Sequence, residues 1–246
     1  MEGTSGVYAD TTYLSDVEYL NLKENDTLDY ATSSQVTSKV NLFLNQQDDY
    51  FGLYAKYFID LNQDSNENTI QNLPILQYHR YLDTLLEDHF LYSFDYRGSN
   101  YYREGNKNAF QNELRVPLDL QFSFLDEYLT LTLSENLYAS QISFYGTENT
   151  VASAGYSSGA YAQDFQSIEL NTNLVKAFDS FSHSLGFTLS YIHPGVEKKN
   201  GFYKDYEEEF KDIKTNNIPC LGGPCEYDNI SNVLEETSLE FTQYIF

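Results

Sequence analysis

The sequence predicts an all-β protein, an antiparallel up-and-down meander of about ten strands that forms part of a transmembrane outer-membrane β-barrel. Three observations support this prediction. Hydrophobicity alternates with a period of two, short turns alternate with long loops, and aromatic residues are abundant, with 23 Tyr and 17 Phe among 246 residues. Disordered chains lack such aromatics, so this acidic chain, with a net charge of −23, is expected to fold.

Charge and hydropathy exclude several classes of protein. Acidic residues number 37 and basic residues 14, so the chain would repel phosphates and offers no basic stripe to nucleic acid. No apolar run reaches the roughly 18–20 residues of a membrane helix. A barrel strand needs only about 9–11 residues, and only alternate ones face lipid. A negative mean hydropathy is therefore compatible with a membrane barrel.

The clearest strand covers residues 114–124, and residues 129–134 repeat its pattern. Apolar side chains alternate there with polar ones, as a half-buried strand requires. The expected lipid-facing residues are Leu114, Val116, Leu118, Leu120, Phe122, Leu129, Leu131 and Leu133. The polar residues expected to act collectively in a wet lumen are Asp95, Arg97, Arg115, Asp119, Gln121, Glu169, Asn171 and Asn173.

The same alternation predicts the other strands in chain order. Apolar stripes recur at 40–44, 51–59, 90–96, 168–174 and 181–191. The ten predicted strands are 6–14, 33–45, 50–60, 73–82, 89–98, 109–124, 128–145, 163–177, 182–193 and 237–246.

The connections between these strands alternate in length. The long polar segments are 15–32, 61–72, 99–108, 146–162 and 194–236, and the connections between them are short turns. This alternation is typical of a meander inserted in an outer membrane, with short turns periplasmic and long loops extracellular. A soluble sandwich instead uses Greek-key crossings. The whole chain, 1–246, is therefore predicted to be one partial barrel domain.

Three ordered segments suggest a particular family. Tyr13-Leu14-Ser15-Asp16 comes first, followed by Tyr19-Leu20. Leu73-Pro74-Ile75-Leu76-Gln77-Tyr78 comes next, and a Tyr/Phe-rich strand then ends in Asn100-Tyr101-Tyr102-Arg103. In their order and spacing these segments resemble the central barrel of the lipopolysaccharide-assembly outer-membrane family LptD, also called the organic-solvent-tolerance family (OstA). The resemblance extends to about residue 193.

The resemblance implies a large barrel in the bacterial outer membrane, plugged by the lipoprotein LptE. Such a translocon receives lipopolysaccharide from a periplasmic bridge containing LptA and releases it into the outer leaflet through a lateral gate. It implies neither an enzyme nor a cofactor. The family's signal peptide, periplasmic domain and gate strands are not recognised in this sequence, so an internal barrel fragment is expected.

The two cysteines, Cys220 and Cys225, lie in the longest predicted loop. Glycines and prolines between and beside them let the chain turn back, so a local disulfide is sterically feasible. It is the expected state in an oxidising environment, with free thiols as the main alternative. No further ligands follow at zinc spacing, so no metal site is predicted.

Three other functions share parts of this pattern. A porin or substrate-specific channel has the same strands but usually carries charged ladders at a constriction, and the sequence shows no arginine cluster. A soluble β-sandwich binding module would expose the polar face to water and bury the leucines between two sheets. A barrel hydrolase would need a nucleophile beside His193, and no serine elbow accompanies it. No catalytic residue is predicted.

Overall fold

The computed structural model of the chain contains one ten-stranded antiparallel sheet in which every strand pairs with its neighbours in sequence. It describes residues 3–12, 35–61, 65–67, 69–85, 89–104, 108–146, 158–204 and 233–246. The strands are β1 (Thr4–Asp10), β2 (Gln35–Asn45), β3 (Asp49–Asp60), β4 (Gln71–Leu85), β5 (Phe90–Tyr102), β6 (Asn108–Phe124), β7 (Leu129–Tyr145), β8 (Gly159–Ala177), β9 (Ser182–Asn200) and β10 (Glu236–Ile245). The predicted up-and-down meander is confirmed.

The sheet is open within the described residues. β1 pairs with β2 alone, and β10 pairs with β9 alone. Each of these two strands therefore presents one edge whose backbone groups have no strand partner in the described sheet. No helix among the described residues is long and apolar enough to cross a membrane.

Strand register gives the sheet two chemically different faces. Residues opposite each other in an antiparallel pair point to the same side, and successive residues point to opposite sides. Phe122 pairs with Leu131, whereas the adjacent Gln121 pairs with Thr132. Following the pairs across the sheet defines an apolar face and a polar face. The apolar face carries Val7, Leu42, Leu53, Leu76, Leu118, Leu133, Leu170, Leu189 and Leu239.

The observed strands follow the predicted ones closely, and the main differences lie at the ends joined by longer connections. The loops predicted at 99–108, 146–162 and 194–236 are shorter than expected, because β5 runs to Tyr102, β8 starts at Gly159 and β9 runs to Asn200. The apolar alternation fades in these stretches, but backbone pairing continues, as between Ala162 and Lys198. The predicted loop at 15–32 lies outside the described residues.

Tight hairpins close one end of the sheet. Backbone hydrogen bonds close three described turns, at Gln46→Asp49 (2.7 Å), Tyr128→Leu125 (3.2 Å) and Phe178→Phe181 (2.8 Å). The turn between β6 and β7 is unusual, because three successive non-glycine residues, Leu125, Asp126 and Glu127, have φ between 54° and 71°. Such left-handed residues are uncommon outside turns. These three turns share one end because the strands run up and down in sequence order.

A fold-back turn begins where β9 ends and packs onto the polar face. Gly201 has a φ of +52°, and residues 202–204 take helical backbone conformation. This places Phe202 and Tyr203 in the buried cluster that they form with Ala109, Ile142 and Tyr161. The turn is therefore held to the sheet by aromatic packing at the end opposite the hairpins.

Gly159 provides a test of this close packing. A Cβ at residue 159 would lie 2.5 Å from the Asn200 carbonyl oxygen and 2.6 Å from the Phe202 nitrogen, both backbone atoms. We expect Gly159→Ala to displace the fold-back turn and to lower the free energy of unfolding by about 1–3 kcal/mol. Urea unfolding of the refolded protein in detergent measures the change.

Gly98→Ala is the matched control. The closest atom to a Cβ there is the Tyr96 hydroxyl at 3.2 Å, a side-chain atom that is farther away than the backbone atoms at Gly159, so we expect a smaller loss. Equal losses for the two variants would contradict this account of the turn.

Candidate functional site

The strand register brings all eight predicted lumen residues to the polar face. Asp95 lies opposite Arg115, Glu169 lies opposite Thr132, and Asn171 lies opposite Thr130. They form no compact pocket, because they are distributed over three strands of the sheet. The set comprises Asp95 and Arg97 on β5, Arg115, Asp119 and Gln121 on β6, and Glu169, Asn171 and Asn173 on β8.

A charged row crosses the polar face from β4 to β7. His79 Nδ1 lies 3.2 Å from Asp95 Oδ2, and Gln77 Nε2 donates to the same carboxylate oxygen at 3.3 Å. Asp95 stands opposite Arg115, whose guanidinium lies 5.4 Å from the centre of the Tyr138 ring. The Asp95 carboxylate thus lies between an imidazole and a guanidinium, and the guanidinium in turn lies over an aromatic ring.

The next row on this face is buried beneath the fold-back turn. Glu113 is only 8% exposed and accepts a hydrogen bond from the Tyr138 hydroxyl at 2.8 Å. Gln111 Nε2 donates to Ser140 Oγ at 3.1 Å, and the Tyr203 hydroxyl shares a 2.5 Å hydrogen bond with Ser140. The turn is therefore joined to the polar face by a hydrogen bond as well as by packing.

Hydrogen bonds between amide and hydroxyl groups join β8, β9 and β10 on the polar face. Asn171 Nδ2 donates to Thr188 Oγ1 at 2.7 Å. The Ser184 hydroxyl donates to Asn173 Oδ1 at 3.2 Å, and Ser190 and Ser238 share a hydrogen bond of 2.7 Å. Carboxylates lie among these groups, because Glu169 stands opposite Ser190 and Glu240 stands opposite Thr188. This part of the face therefore combines neutral hydrogen-bonding groups with negative charge.

The opposite face carries the eight residues predicted to face lipid. Phe122 pairs with Leu131, Leu120 pairs with Leu133, and Phe124 pairs with Leu129, so the β6 and β7 residues form one continuous apolar stripe. Many apolar side chains on this face are exposed, including Val7 at 72% and Leu239 at 65%. Contiguous apolar surface on this scale marks a membrane or a protein interface.

Sequence periodicity missed the polar side chains that lie on the apolar face. Arg80 pairs with Asp49 there, and a register shift between Arg80 and Asp83 brings Asp83 to the same side. A strict two-residue alternation places residues 80 and 83 on opposite faces, so only the observed bulge reveals the cluster. Glu135 and Gln166 form a second polar pair on this face, with Gln166 Nε2 donating at 2.9 Å.

Neither predicted cysteine position can be placed on the sheet. Cys220 and Cys225 lie outside the described residues, so their disulfide stays a prediction. Among the residues that the structure does describe, no group of three or more His, Cys, Asp and Glu side chains could hold a metal ion.

The fold and its two faces together define a class of protein. A meander with one continuous apolar face and one hydrogen-bonded polar face has the wall structure of an outer-membrane β-barrel. Comparison with protein families agrees, because residues 4–220 match the family LptD: LPS transport system D. The chain belongs to this family of outer-membrane lipopolysaccharide transport proteins, as its motifs predicted, and has a role in lipopolysaccharide transport. No curated protein matches it.

The hydrogen bond between the fold-back turn and the polar face can be tested through Tyr203. Burial raises the pKa of the Tyr203 phenol, so the hydroxyl stays protonated and uncharged at neutral pH and shares its hydrogen bond with Ser140. We expect Tyr203→Phe to lower stability by about 0.5–1.5 kcal/mol, the usual net contribution of one hydrogen bond, and to speed amide exchange at 201–204. Hydrogen exchange read by mass spectrometry measures both effects.

Tyr128→Phe is the control for this variant. Tyr128 lies in a hairpin turn and is 56% exposed, so loss of its hydroxyl should change neither quantity. If Tyr203→Phe exchanged no faster than this control, the hydrogen bond would not be what holds the turn.

Proposed function

We propose that this chain forms part of the wall of an outer-membrane translocon that inserts lipopolysaccharide, or lipooligosaccharide, into the outer leaflet. One observation carries the proposal. Across the described strands the register gathers most leucines on one face and the eight predicted polar residues on the other, and the polar groups on the apolar face, such as Arg80 and Glu135, are paired. A barrel wall requires this separation, because one side meets hydrocarbon and the other meets water.

In this proposal the polar face borders a wet lumen. The sugar and phosphate groups of an amphiphile need hydrogen-bonding partners there, while its acyl chains need an apolar path. Side chains such as Asp95 and Arg115 in one row, and Asn171 and Thr188 in another, supply those partners collectively. No single residue carries a reaction, and the transport role calls for neither a catalytic group nor a cofactor.

The two open edges of the sheet support a larger barrel. In hydrocarbon each unpaired backbone N–H or C=O costs several kcal/mol, so an open edge is unstable there. β1 and β10 each leave one edge unpaired in the described sheet. We therefore propose that further strands pair with both edges in the assembled translocon.

The orientation of the wall follows from its connections. Outer-membrane barrels have short periplasmic turns and longer extracellular loops, so we place the hairpins at 46–48, 125–128 and 178–181 in the periplasm. The fold-back turn at Phe202 and Tyr203 then narrows the lumen near its outer end. The proposed partners are lipopolysaccharide, the plug lipoprotein LptE and the periplasmic bridge protein LptA, together with outer-membrane lipid.

A substrate-specific channel is the second candidate, and the charged row favours it. Asp95 stands between Arg115 and the His79 imidazole, and oppositely charged side chains such as Asp95 and Arg115 also line a porin constriction. Single-channel conductance separates the two functions, because an open channel conducts ions and a plugged translocon conducts poorly. A soluble sandwich is not supported, since the described strands form one sheet rather than two.

Charge placed on the two faces should have unequal effects on barrel assembly. Leu118→Arg or Leu131→Arg puts a guanidinium toward lipid, and an arginine near the bilayer midplane costs about 2–4 kcal/mol. We expect both variants to fail to assemble. Heat modifiability on gel electrophoresis of outer-membrane fractions measures assembly.

Asp119→Asn and Gln121→Ala are the matched variants on the other face of β6. A wet lumen tolerates such changes, so both should assemble normally. Equal tolerance of charge on the two faces would count against the barrel wall.

The transport function is tested in cells depleted of the protein. We expect surface lipopolysaccharide to fall on depletion and to recover with the wild-type protein. The double variant Asp95→Asn, Arg115→Gln should assemble but export about fivefold less, because losing one partly exposed ionic row removes about 1 kcal/mol. Surface labelling of lipopolysaccharide measures export. Normal surface labelling after depletion would refute the proposed function.

A further inference from the structure

An apolar groove crosses the apolar face over β1, β2, β3 and β4. Its volume is about 510 Å³, within the roughly 300–1,000 Å³ typical of small-molecule sites. The apolar side chains that line it are Val7, Leu42, Leu44, Phe51, Leu53 and Leu76. Four of these, Leu42, Phe51, Leu53 and Leu76, are between 41% and 47% exposed. The groove is thus an open, hydrocarbon-like surface.

Two glycines lie in the backbone beneath the groove. Gly6 and Gly52 belong to its lining, and aromatic rings cover both from the polar face. A Cβ on Gly6 would lie 2.6 Å from the Phe43 ring, and a Cβ on Gly52 would meet Tyr54 in the same way. Strand glycines of this kind allow a close approach that any side chain would block. The glycines therefore permit ring packing behind the groove, whereas the apolar side chains form the groove itself.

An ionic network adjoins one end of the groove. The Phe51 ring, part of the lining, lies 4.8 Å from the Tyr78 ring, centre to centre. The Tyr78 hydroxyl donates to Asp49 Oδ1 at 2.7 Å. Asp49 Oδ1 also lies 3.4 Å from Arg80 Nη1. Apolar lining and charged groups are thus joined through Tyr78.

The network extends to β5 and keeps an excess of negative charge. Arg80 Nη2 lies 2.7 Å from Asp83 Oδ2, and the Tyr92 hydroxyl donates to the same carboxylate at 3.1 Å. One guanidinium therefore serves two carboxylates. The Asp49 and Asp83 side chains are 25% and 38% exposed, so both remain accessible to a cationic group.

The network lies at the hairpin end of the sheet. Asp49 is the first residue of β3, directly after the turn at 46–48, and Asp83 lies two residues before the end of β4. Charged side chains on a lipid-facing surface are tolerated near the interface, where they meet lipid headgroups. The groove adjoins this interface, because Phe51 follows Asp49 on the same face of β3 and belongs to the groove lining.

We propose that the groove and the network form a binding site for a zwitterionic phospholipid with a primary ammonium headgroup. An acyl chain lies in the groove, and the ammonium contacts Asp49 and Asp83. The inference rests on the proposed membrane orientation, which places the hairpin end at the periplasmic leaflet. Excess negative charge disfavours phosphatidylglycerol and the phosphate-rich head of lipopolysaccharide, because like charges repel.

Lipid competition tests the site. The protein, purified in detergent from outer membranes, is mixed with equal amounts of phosphatidylethanolamine and phosphatidylglycerol of matched chain length, and bound lipids are counted by native mass spectrometry. We expect phosphatidylethanolamine adducts to dominate. The double variant Asp49→Asn, Asp83→Asn should lower the ratio of bound phosphatidylethanolamine to bound phosphatidylglycerol about two- to fivefold, as expected for partly exposed ion pairs.

Two controls share the face but not the site. Glu135→Gln removes another hydrogen-bonded carboxylate of the apolar face, and it should leave the preference unchanged. Leu42→Trp fills the groove and should reduce adducts of both lipids, whereas Leu239→Trp, on β10 of the same face, should not. Assembly of each variant is checked first by heat modifiability.

The outcomes separate this proposal from the proposed function. A protein that assembles and exports lipopolysaccharide but binds the two lipids equally overturns the phospholipid site alone. Preferred binding of phosphatidylglycerol overturns it as well. If the wild-type protein failed to enter the outer membrane, the proposed function would be contradicted, and with it the membrane orientation on which the site depends.

Discussion

Backbone pairing between sequence neighbours is the constraint on which the rest of this structure depends. Each interior strand forms hydrogen bonds with the strand before it and the strand after it, so its register is set from both sides. A shift of one residue would move every leucine to the opposite face. The sheet therefore has two different faces only where the side chains alternate in polarity and neighbouring strands pair in matching register.

Two departures from this alternation distinguish this sheet from a regular two-faced one. The bulge that brings Arg80 and Asp83 to one side places an ionic network on a face made otherwise largely of leucine, valine and aromatic rings. The fold-back turn brings Phe202 and Tyr203 over buried polar groups on the other face. Each departure requires a compensating partner, because a charge in lipid or an unpaired polar group under an aromatic ring would be unstable.

The polar face mixes charged and neutral hydrogen-bonding groups, and this bears on the proposed transport. Asp95 and Arg115 face each other on β5 and β6, whereas amide and hydroxyl pairs lie beside the carboxylates of Glu169 and Glu240 across β8, β9 and β10. In the proposed translocon, a sugar-rich headgroup would meet both kinds of partner. Collective binding of this kind holds a large headgroup without trapping it, since no single contact is strong.

The sequence by itself determined the strands, their order and the two faces. The alternation through Leu114–Phe124 identified β6 almost to the residue, and the eight predicted polar residues do share one face. Ordered motifs such as Leu73–Tyr78 identified the family, which residues 4–220 match. The strands and faces could be predicted because a two-residue period and a short turn each depend only on residues that are close together in the sequence.

Only the tertiary structure decided where strand pairing continues beyond the alternating sequence pattern and where polar groups interrupt the apolar face. β9 runs seven residues beyond its predicted end at 193, to Asn200, because β8 supplies hydrogen-bond partners there. Arg80 and Asp83 meet through a bulge, and Tyr203 reaches Ser140 from 63 residues away in the chain. Contacts of this kind depend on the relative position of strands distant in sequence, which no local periodicity encodes.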